Sequence, residues 1–343
     1  MPSRRTFTAI VGVSAVALVG IGVTLFVLSR DHPNPARGDL IAYNCIEQHN
    51  SWFAICVIKS DGTDQRRLTT RLQTSTPAWS PDGRHVAFTR NEDVGEYTTF
   101  SDDDVFVMDA DGDNIRQLTT ERDGRHAGRP TWSPDGRQIA YIDGESVPTN
   151  QPSRPGGLFV IDANGKDARQ LTRGNADTDP AWSPDGKEIA FGHCQNVNSP
   201  TRCSLDLYVV NASGGVPRRL TRTPGAYEAA ASWSPDGSQI AFARWILADT
   251  FLNGAIGIYV MNRDGSGERL ILQHKNVTGG LYSLSWSPDG RTLAFETSPT
   301  LVCTAISLVD VKSEAVSPLT SCTGQRDSTG YPAWQPDTDT RDP

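Results

Sequence analysis

The chain has 343 residues and carries 32 lysines and arginines against 40 aspartates and glutamates, a formal charge of −8. An acidic balance of this size makes a poor nucleic-acid binder and would be repelled by an anionic lipid surface. Length by itself suggests two domains, a prior that an internal repeat overrides below.

Residues 1–6 carry Arg4 and Arg5, and from Phe7 to Leu28 run twenty-two residues with no charge and only Thr8, Ser14 and Thr24 as polar side chains. At about 1.5 Å per residue such a helix spans a hydrocarbon core of about 30 Å. The apolar run is longer than the 7 to 15 residues of a typical signal-peptide core, and its small residues Ala15-Val16-Ala17 lie mid-run, so the expectation is an uncleaved anchor at 7–28. Arg4 and Arg5 keep residues 1–6 in the cytoplasm, because the other flank holds Arg30 beside Asp31. Everything after the anchor is then extracytoplasmic, on a single-pass protein of the cell membrane. Outside the anchor segment, which holds Arg4, Arg5 and Arg30, 29 basic side chains face 40 acidic ones. Residues 29–38, including His32-Pro33-Asn34-Pro35, read as a short stiff spacer.

From residue 39 to residue 337 one pattern recurs. Trp-Ser-Pro-Asp-Gly opens at Trp79, Trp132, Trp182, Trp233 and Trp286, and a worn copy, Trp-Gln-Pro-Asp, opens at Trp334; the steps are 53, 50, 51, 53 and 48 residues. A period near fifty describes one structural unit repeated around or along an axis. In the third copy, Pro180-Ala181-Trp182 and Glu188-Ile189-Ala190-Phe191 flank a turn in which Pro184 fixes φ, Asp185 accepts a local hydrogen bond and Gly186 takes the left-handed conformation. A second hairpin follows, Leu158–Ile161 and Ala168–Thr172 around Asp162-Ala163-Asn164-Gly165 in the preceding copy. Four short strands per unit, with no sustained 3.6-residue apolar period after residue 30, predict an all-β fold: a six-bladed β-propeller of four-stranded antiparallel blades. The first unit starts at Leu40-Ile41-Ala42-Tyr43, a second strand, and its missing first strand is Tyr331–Trp334, so the N- and C-terminal strands are expected to close one blade. Residues 338–343 are a tail.

Six cysteines allow fifteen pairings. On the propeller map only Cys45–Cys56, Cys194–Cys203 and Cys303–Cys322 lie at matching ends of neighbouring strands, within the reach a disulfide needs. Three disulfides imply an oxidising compartment.

The pattern Trp-Ser-Pro-Asp-Gly, Ile-Ala-Phe, Val-Met-Asp-Ala-Asp-Gly, Arg-Gln-Leu-Thr resembles the TolB-type, WD40-like (PD40) propeller repeat over roughly residues 39–337. The resemblance implies a bacterial envelope protein. TolB carries an α/β domain ahead of its propeller, whereas about ten residues separate the apolar segment from the first strand here, so that domain is expected to be absent.

Function is expected on the face where the repeats differ. The residues just before the innermost strands are Thr76, Arg129, Asp179, Ala230, Ser283 and Tyr331, with His126, Asp177, Tyr227 and Glu228 nearby, a mixture of acid, base and aromatic around a channel mouth. The loop Trp245-Ile246-Leu247 with Phe251-Leu252 is apolar enough to anchor a partner, or to fold back on its own blade. Asp109–Asp113 and Asn262–Ser266 superficially look like calcium loops but lack the Gly and Glu positions and read as hairpin turns; the acidic run Asp102–Asp104 is left as a candidate contributor to a calcium site, which calcium-dependent thermal stabilisation would test. There is no Gly-x-Ser-x-Gly elbow, no His-Glu-x-x-His and no phosphate loop, and the six histidines share no ligand spacing. The expectation is therefore a monomeric platform that binds a protein or envelope component without catalytic residue, cofactor or metal. The alternative is a carbohydrate-active lyase or hydrolase at the channel mouth.

Overall fold

The computed structural model describes residues 38–46, 53–70, 73–91, 103–120, 125–145, 156–174, 177–194, 204–246, 255–275, 283–300, 303–321 and 329–337. The expected membrane segment 7–28, the tail 338–343, Phe251, Cys203 and Cys322 lie outside them. Among the described residues no helix is long and apolar enough to cross a membrane.

The described chain is all β. β1 (Leu40–Ile46), β2 (Phe53–Lys59) and β3 (Arg66–Arg67) form the first group. The second is β4 (Gln73–Trp79), β5 (His85–Asn91), β6 (Asp103–Asp109) and β7 (Arg116–Gln117), and the third is β8 (Arg125–Trp132), β9 (Gln138–Glu145), β10 (Gly157–Asp162) and β11 (Arg169–Gln170). Then come β12 (Thr178–Trp182), β13 (Glu188–Cys194), β14 (Leu205–Asn211) and β15 (Arg218–Arg219), followed by β16 (Ala226–Trp233), β17 (Gln239–Ile246), β18 (Ala255–Asn262) and β19 (Arg269–Lys275). The last group is β20 (Leu284–Trp286), β21 (Thr292–Thr300), β22 (Cys303–Asp310) and β23 (Val316–Pro318), and β24 (Thr329–Trp334) ends the chain.

Each group is a four-stranded antiparallel sheet, and β24 completes the first as β24-β1-β2-β3. The fourth and fifth groups are joined into an eight-stranded sheet only by a single parallel pair, Leu205 with Tyr227. β1 meets β24 with Ile41 opposite Trp334 and Ala42 opposite Ala333, as the terminal-closure expectation requires.

The core lies between consecutive sheets, which is why the second and third strands are continuous apolar runs rather than alternating ones. Six buried clusters fill these spaces. One of them joins Ala294 and Ile306 of the last sheet to Ile41, Tyr43 and Trp334 of the first. The repeat tryptophans pack there, and Trp132, Trp233 and Trp286 donate their indole N–H to Ala78, Ala181 and Ser232 carbonyls of the preceding sheet at 3.2, 3.0 and 3.1 Å.

The Ser-Pro-Asp-Gly turn is self-supporting. Gly186 has φ 70° and its N–H donates to the Ser183 carbonyl at 2.9 Å, while the buried Ser183 hydroxyl donates to Asp185 at 2.7 Å. Four of the fourth strands, β3, β7, β11 and β15, are shorter than the sequence suggests, two residues each, whereas β19 runs seven. Past these strands and past β23, Thr69, Thr119, Thr172, Thr221 and Thr320 each accept, at 2.8–2.9 Å, the N–H of a third-strand residue.

Cys45 and Cys56 form a disulfide between β1 and β2, with Cα atoms 5.9 Å apart. Cys194 is also disulfide-bonded, and among the described residues no cysteine is free.

Candidate functional site

Five of the innermost strands contain the same irregularity. In β4, β8, β12, β16 and β24 two residues face one on the neighbouring strand, a β-bulge, at Thr76-Pro77, Arg129-Pro130, Asp179-Pro180, Ala230-Ala231 and Tyr331-Pro332. The residues they face are Phe88, Tyr141, Phe191, Phe242 and Tyr43, each buried to 1% exposure or less. Four of the five bulges place a proline second, where the missing N–H leaves no ladder bond unmade.

The first residue of each bulge has a left-handed backbone, with φ of 50° at Thr76, 55° at Arg129, 49° at Asp179, 55° at Ala230 and 52° at Tyr331. For residues with a Cβ this costs about 1–2 kcal/mol each. A bulge re-aims side chains, and these positions, with Ser283, line one cavity of about 190 Å³ to which all six innermost strands contribute. Sequence reading puts these residues before the strands; the structure puts all but Ser283 within them.

Arg129 dominates the mouth. Its guanidinium makes an ion pair with Asp179 and lies 5.7 Å from the centre of the Tyr331 ring. The Asp179 charge, partly opposed by burial, holds the Arg129 pKa above its ordinary value. Asp179 also accepts the Ala230 N–H at 3.2 Å and the Thr178 hydroxyl at 3.1 Å. The Arg129 N–H reaches Thr89 Oγ1 at 3.2 Å, and that hydroxyl contacts Thr76 Oγ1 at 2.7 Å. Of the five N–H donors of a guanidinium, only Nη1 has a hydrogen-bond partner among the described residues, Asp179.

Beside Tyr331 lies Glu296 on β21, only 4% exposed, with Oε2 lacking a hydrogen-bond partner. Burial pushes its pKa up to about 8, against the opposing pull of the Tyr331 N–H and the Arg129 charge. Between the ordinary carboxylate range and pH 8 the folded state holds a proton that the unfolded state has lost, so stability falls as pH rises through this window and levels off above it. Replacing Glu296 with Gln is expected to flatten that slope and to stabilise the protein at pH 8 by about 4 kcal/mol. Melting temperatures of both forms from pH 5 to pH 9 measure it; parallel curves would refute it.

The other expected site residues divide. Arg129, Asp179 and Tyr331 meet at the cavity, but Asp177 and Glu228 do not line it. They are buried partners of the threonines that follow the fourth strands: Asp177 accepts from Thr172 and contacts His193 Nδ1 at 2.5 Å, and Glu228 accepts from Thr221 and Arg244. His126 lies on β8 outside the cavity lining. Trp245 is not in a loop; it belongs to β17, packs against the core and meets Tyr227 edge-on at 5.4 Å, so it covers its own sheet. Among the described residues of that segment, Ile246 is 48% exposed. Arg244 and Glu296 carry no motif and were not singled out from sequence.

Residues 41–246, more than half of the chain, match the family described as PD40, TolB beta propeller domain. The Tol-Pal system protein TolB of Zymomonas mobilis is 34% identical over 82 residues, 24% of this chain and 16% of that protein. The uncharacterized peptidase YuxL of Bacillus subtilis is 30% identical over 112 residues, 30% of this chain and 16% of that protein. The matched segments thus span under a fifth of either relative. The crystal structure of TolB from Acinetobacter baumannii superposes with a TM-score of 0.66 at 18% identity, covering 88% of this chain and 67% of that one, a likeness of fold. The chain belongs to the TolB beta propeller domain family.

Proposed function

We propose that this protein is a six-bladed propeller held on the extracytoplasmic side of the cell membrane by residues 7–28, and that its channel mouth binds a protein or another envelope component. The observation that carries the reading is the mouth itself. Strained left-handed residues cluster at functional sites, and here five of them, with Ser283, surround a cavity that holds Arg129 with unspent donors. A guanidinium pre-oriented by Asp179 and Tyr331 suits the carboxylate or backbone carbonyls of a partner. The likeness to TolB supports an envelope-associated role, and the Cys45–Cys56 disulfide agrees with an oxidising compartment.

The lyase or hydrolase reading has less support. No histidine lines the cavity among the described residues, and the carboxylate that does, Asp179, is spent on Arg129. A photo-crosslinking residue at Ser283 in the full-length protein, irradiated in its native host, is expected to give a discrete adduct that drops about tenfold with Arg129→Ala, the order of a lost charge-assisted hydrogen bond. No adduct, or the same adduct from a crosslinker placed at exposed Val316, would contradict the proposal.

A further inference from the structure

A second cavity, of about 420 Å³, lies between the first-to-second-strand turns of the second and third sheets. Asp82, His85, Arg116, Trp132, Asp135 and Ala163 are among its lining residues. Because the sheets are repeats, the same place between the fourth and fifth sheets serves as an internal template, and there it is filled. Arg263, which stands where Ala163 stands, lies 5.2 Å from the centre of the Trp233 ring. Its Nη1 donates to Asp185 Oδ2 at 2.9 Å and its Nε to Glu188 Oε2 at 2.9 Å. This slot holds a guanidinium between an indole face on one side and carboxylate oxygens at the edge.

The open slot keeps most of these parts. Trp132 replaces Trp233, Asp82 replaces Asp185 and Arg116 replaces Arg218. Asp82 Oδ1 accepts from the Ser80 hydroxyl at 2.5 Å and the Arg84 N–H at 3.0 Å, as Asp185 Oδ1 does from Ser183 and Lys187 at 2.7 and 3.1 Å. Asp82 Oδ2, the counterpart of the oxygen that Arg263 occupies, has no hydrogen-bond partner among the described residues. Burial opposes ionisation of Asp82, but the bonds from Ser80 and Arg84 outweigh it and keep the carboxyl below the ordinary range, so the acceptor is charged. Arg116 is no obstacle: it is turned onto the Ala163 carbonyl at 2.7 Å, and its counterpart Arg218 coexists with Arg263 in the filled slot. Two differences matter. Ala163 removes the internal occupant, and His85, 6.3 Å from the Trp132 ring, stands in place of Glu188.

We propose that the open slot formed by Asp82, His85, Trp132 and Asp135 captures an arginine side chain presented by a partner polypeptide. The excess of acidic residues over residues 39–337, 37 against 27 basic ones, draws a cationic partner toward it. The turns that form the slot are separate from the channel mouth, so this site stands or falls independently of the mouth.

The test titrates N-acetylarginine amide into the full-length, 15N-labelled protein and follows the indole N–H resonances, with N-acetylcitrulline amide as the neutral isostere. The Trp132 resonance is expected to shift saturably with the arginine probe and not with citrulline. Ala163→Arg is expected to abolish that response and to raise the melting temperature, because the slot is then filled from within. His85→Glu, which restores the carboxylate of the filled slot, is expected to bind about tenfold more tightly, and Asp82→Asn several-fold more weakly. Should Ala163→Arg fold poorly, the opposite responses of His85→Glu and Asp82→Asn still decide the matter. Equal response to citrulline, an unmoved Trp132 resonance, or shifts insensitive to Asp82→Asn and His85→Glu would overturn the proposal.

Discussion

A chain ending at residue 328 is expected to lose cooperative folding altogether. β24 is the innermost strand of the first sheet, and nothing else in the described chain supplies that strand. Its loss strips the inner edge of β1, where Ile41, Ala42, Asn44 and Cys45 pair with Trp334, Ala333, Gly330 and Thr329. It also removes the Gln335 N–H donated to the Leu40 carbonyl at 2.7 Å and the Gln335 side chain bonded to Gly83 at 3.3 Å. The cluster between last and first sheets loses Trp334, and the exposed edge becomes a template for aggregation. Whole-domain stability is only about 5–15 kcal/mol, which the combined losses exceed. Far-ultraviolet circular dichroism on heating measures it: the truncated chain should show no cooperative transition, and a peptide of residues 329–343 added in excess should restore one. A truncated chain melting like the full one would show that closure contributes nothing.

The second large effect lies in the fifth sheet. Glu228 is fully buried, and Arg244, 6% exposed, donates Nε to it at 2.6 Å while Nη1 and Nη2 bind Glu268 at 2.5 and 2.6 Å. The guanidinium also lies 4.4 Å from the centre of the Tyr259 ring. Burial alone would lower the Arg244 pKa; the hydrogen bonds and charges of Glu268 and Glu228 more than offset this and raise it, so the cation persists. Arg244→Leu leaves a buried carboxylate with only the Thr221 hydroxyl among the described residues. Breaking one side of a buried pair costs about 3–5 kcal/mol, which in a domain of this size lowers the melting temperature by on the order of 10 °C. Removing both charges with Arg244→Leu and Glu228→Leu is expected to recover most of the loss. If the double variant were no more stable than the single one, the penalty would not come from the stranded charge.

The repeat made the sheets legible because each unit carries its own turn chemistry. Pro184, Asp185 and Gly186 mark where a strand must reverse, and the Ile189-Ala190-Phe191 run marks a strand covered on both faces. The mouth position was legible for the same reason: Arg129, Asp179 and Tyr331 each stand three residues before a repeat tryptophan. What sequence could not reveal is how the chain treats the position two residues earlier. In a plain strand residues two apart share a face, so Asp177 would accompany Asp179 and Glu228 would accompany Ala230. Thr172 and Thr221, just past the fourth strands, hold Asp177 and Glu228 in the interior while the left-handed bulge residues line the cavity. Trp245 was misplaced because an apolar stretch reads alike as loop or strand end, and pairing of Trp245 with Tyr227 and Ile256 settles it as strand. Arg244 and Glu296 sit at ordinary second-strand positions, and their partners come from sequence-distant residues that no local spacing announces.

The most direct test of the mouth as a binding surface exchanges its two charges. Arg129→Asp and Asp179→Arg are each expected to destabilise the protein, and together to restore the ion pair and with it the melting temperature. With the crosslinker at Ser283, the exchanged protein should fold normally yet fail to give the wild-type adduct, because the cation now stands on the wrong strand of the ring. Full recovery of the adduct alongside stability would show that Arg129 and Asp179 only brace the propeller.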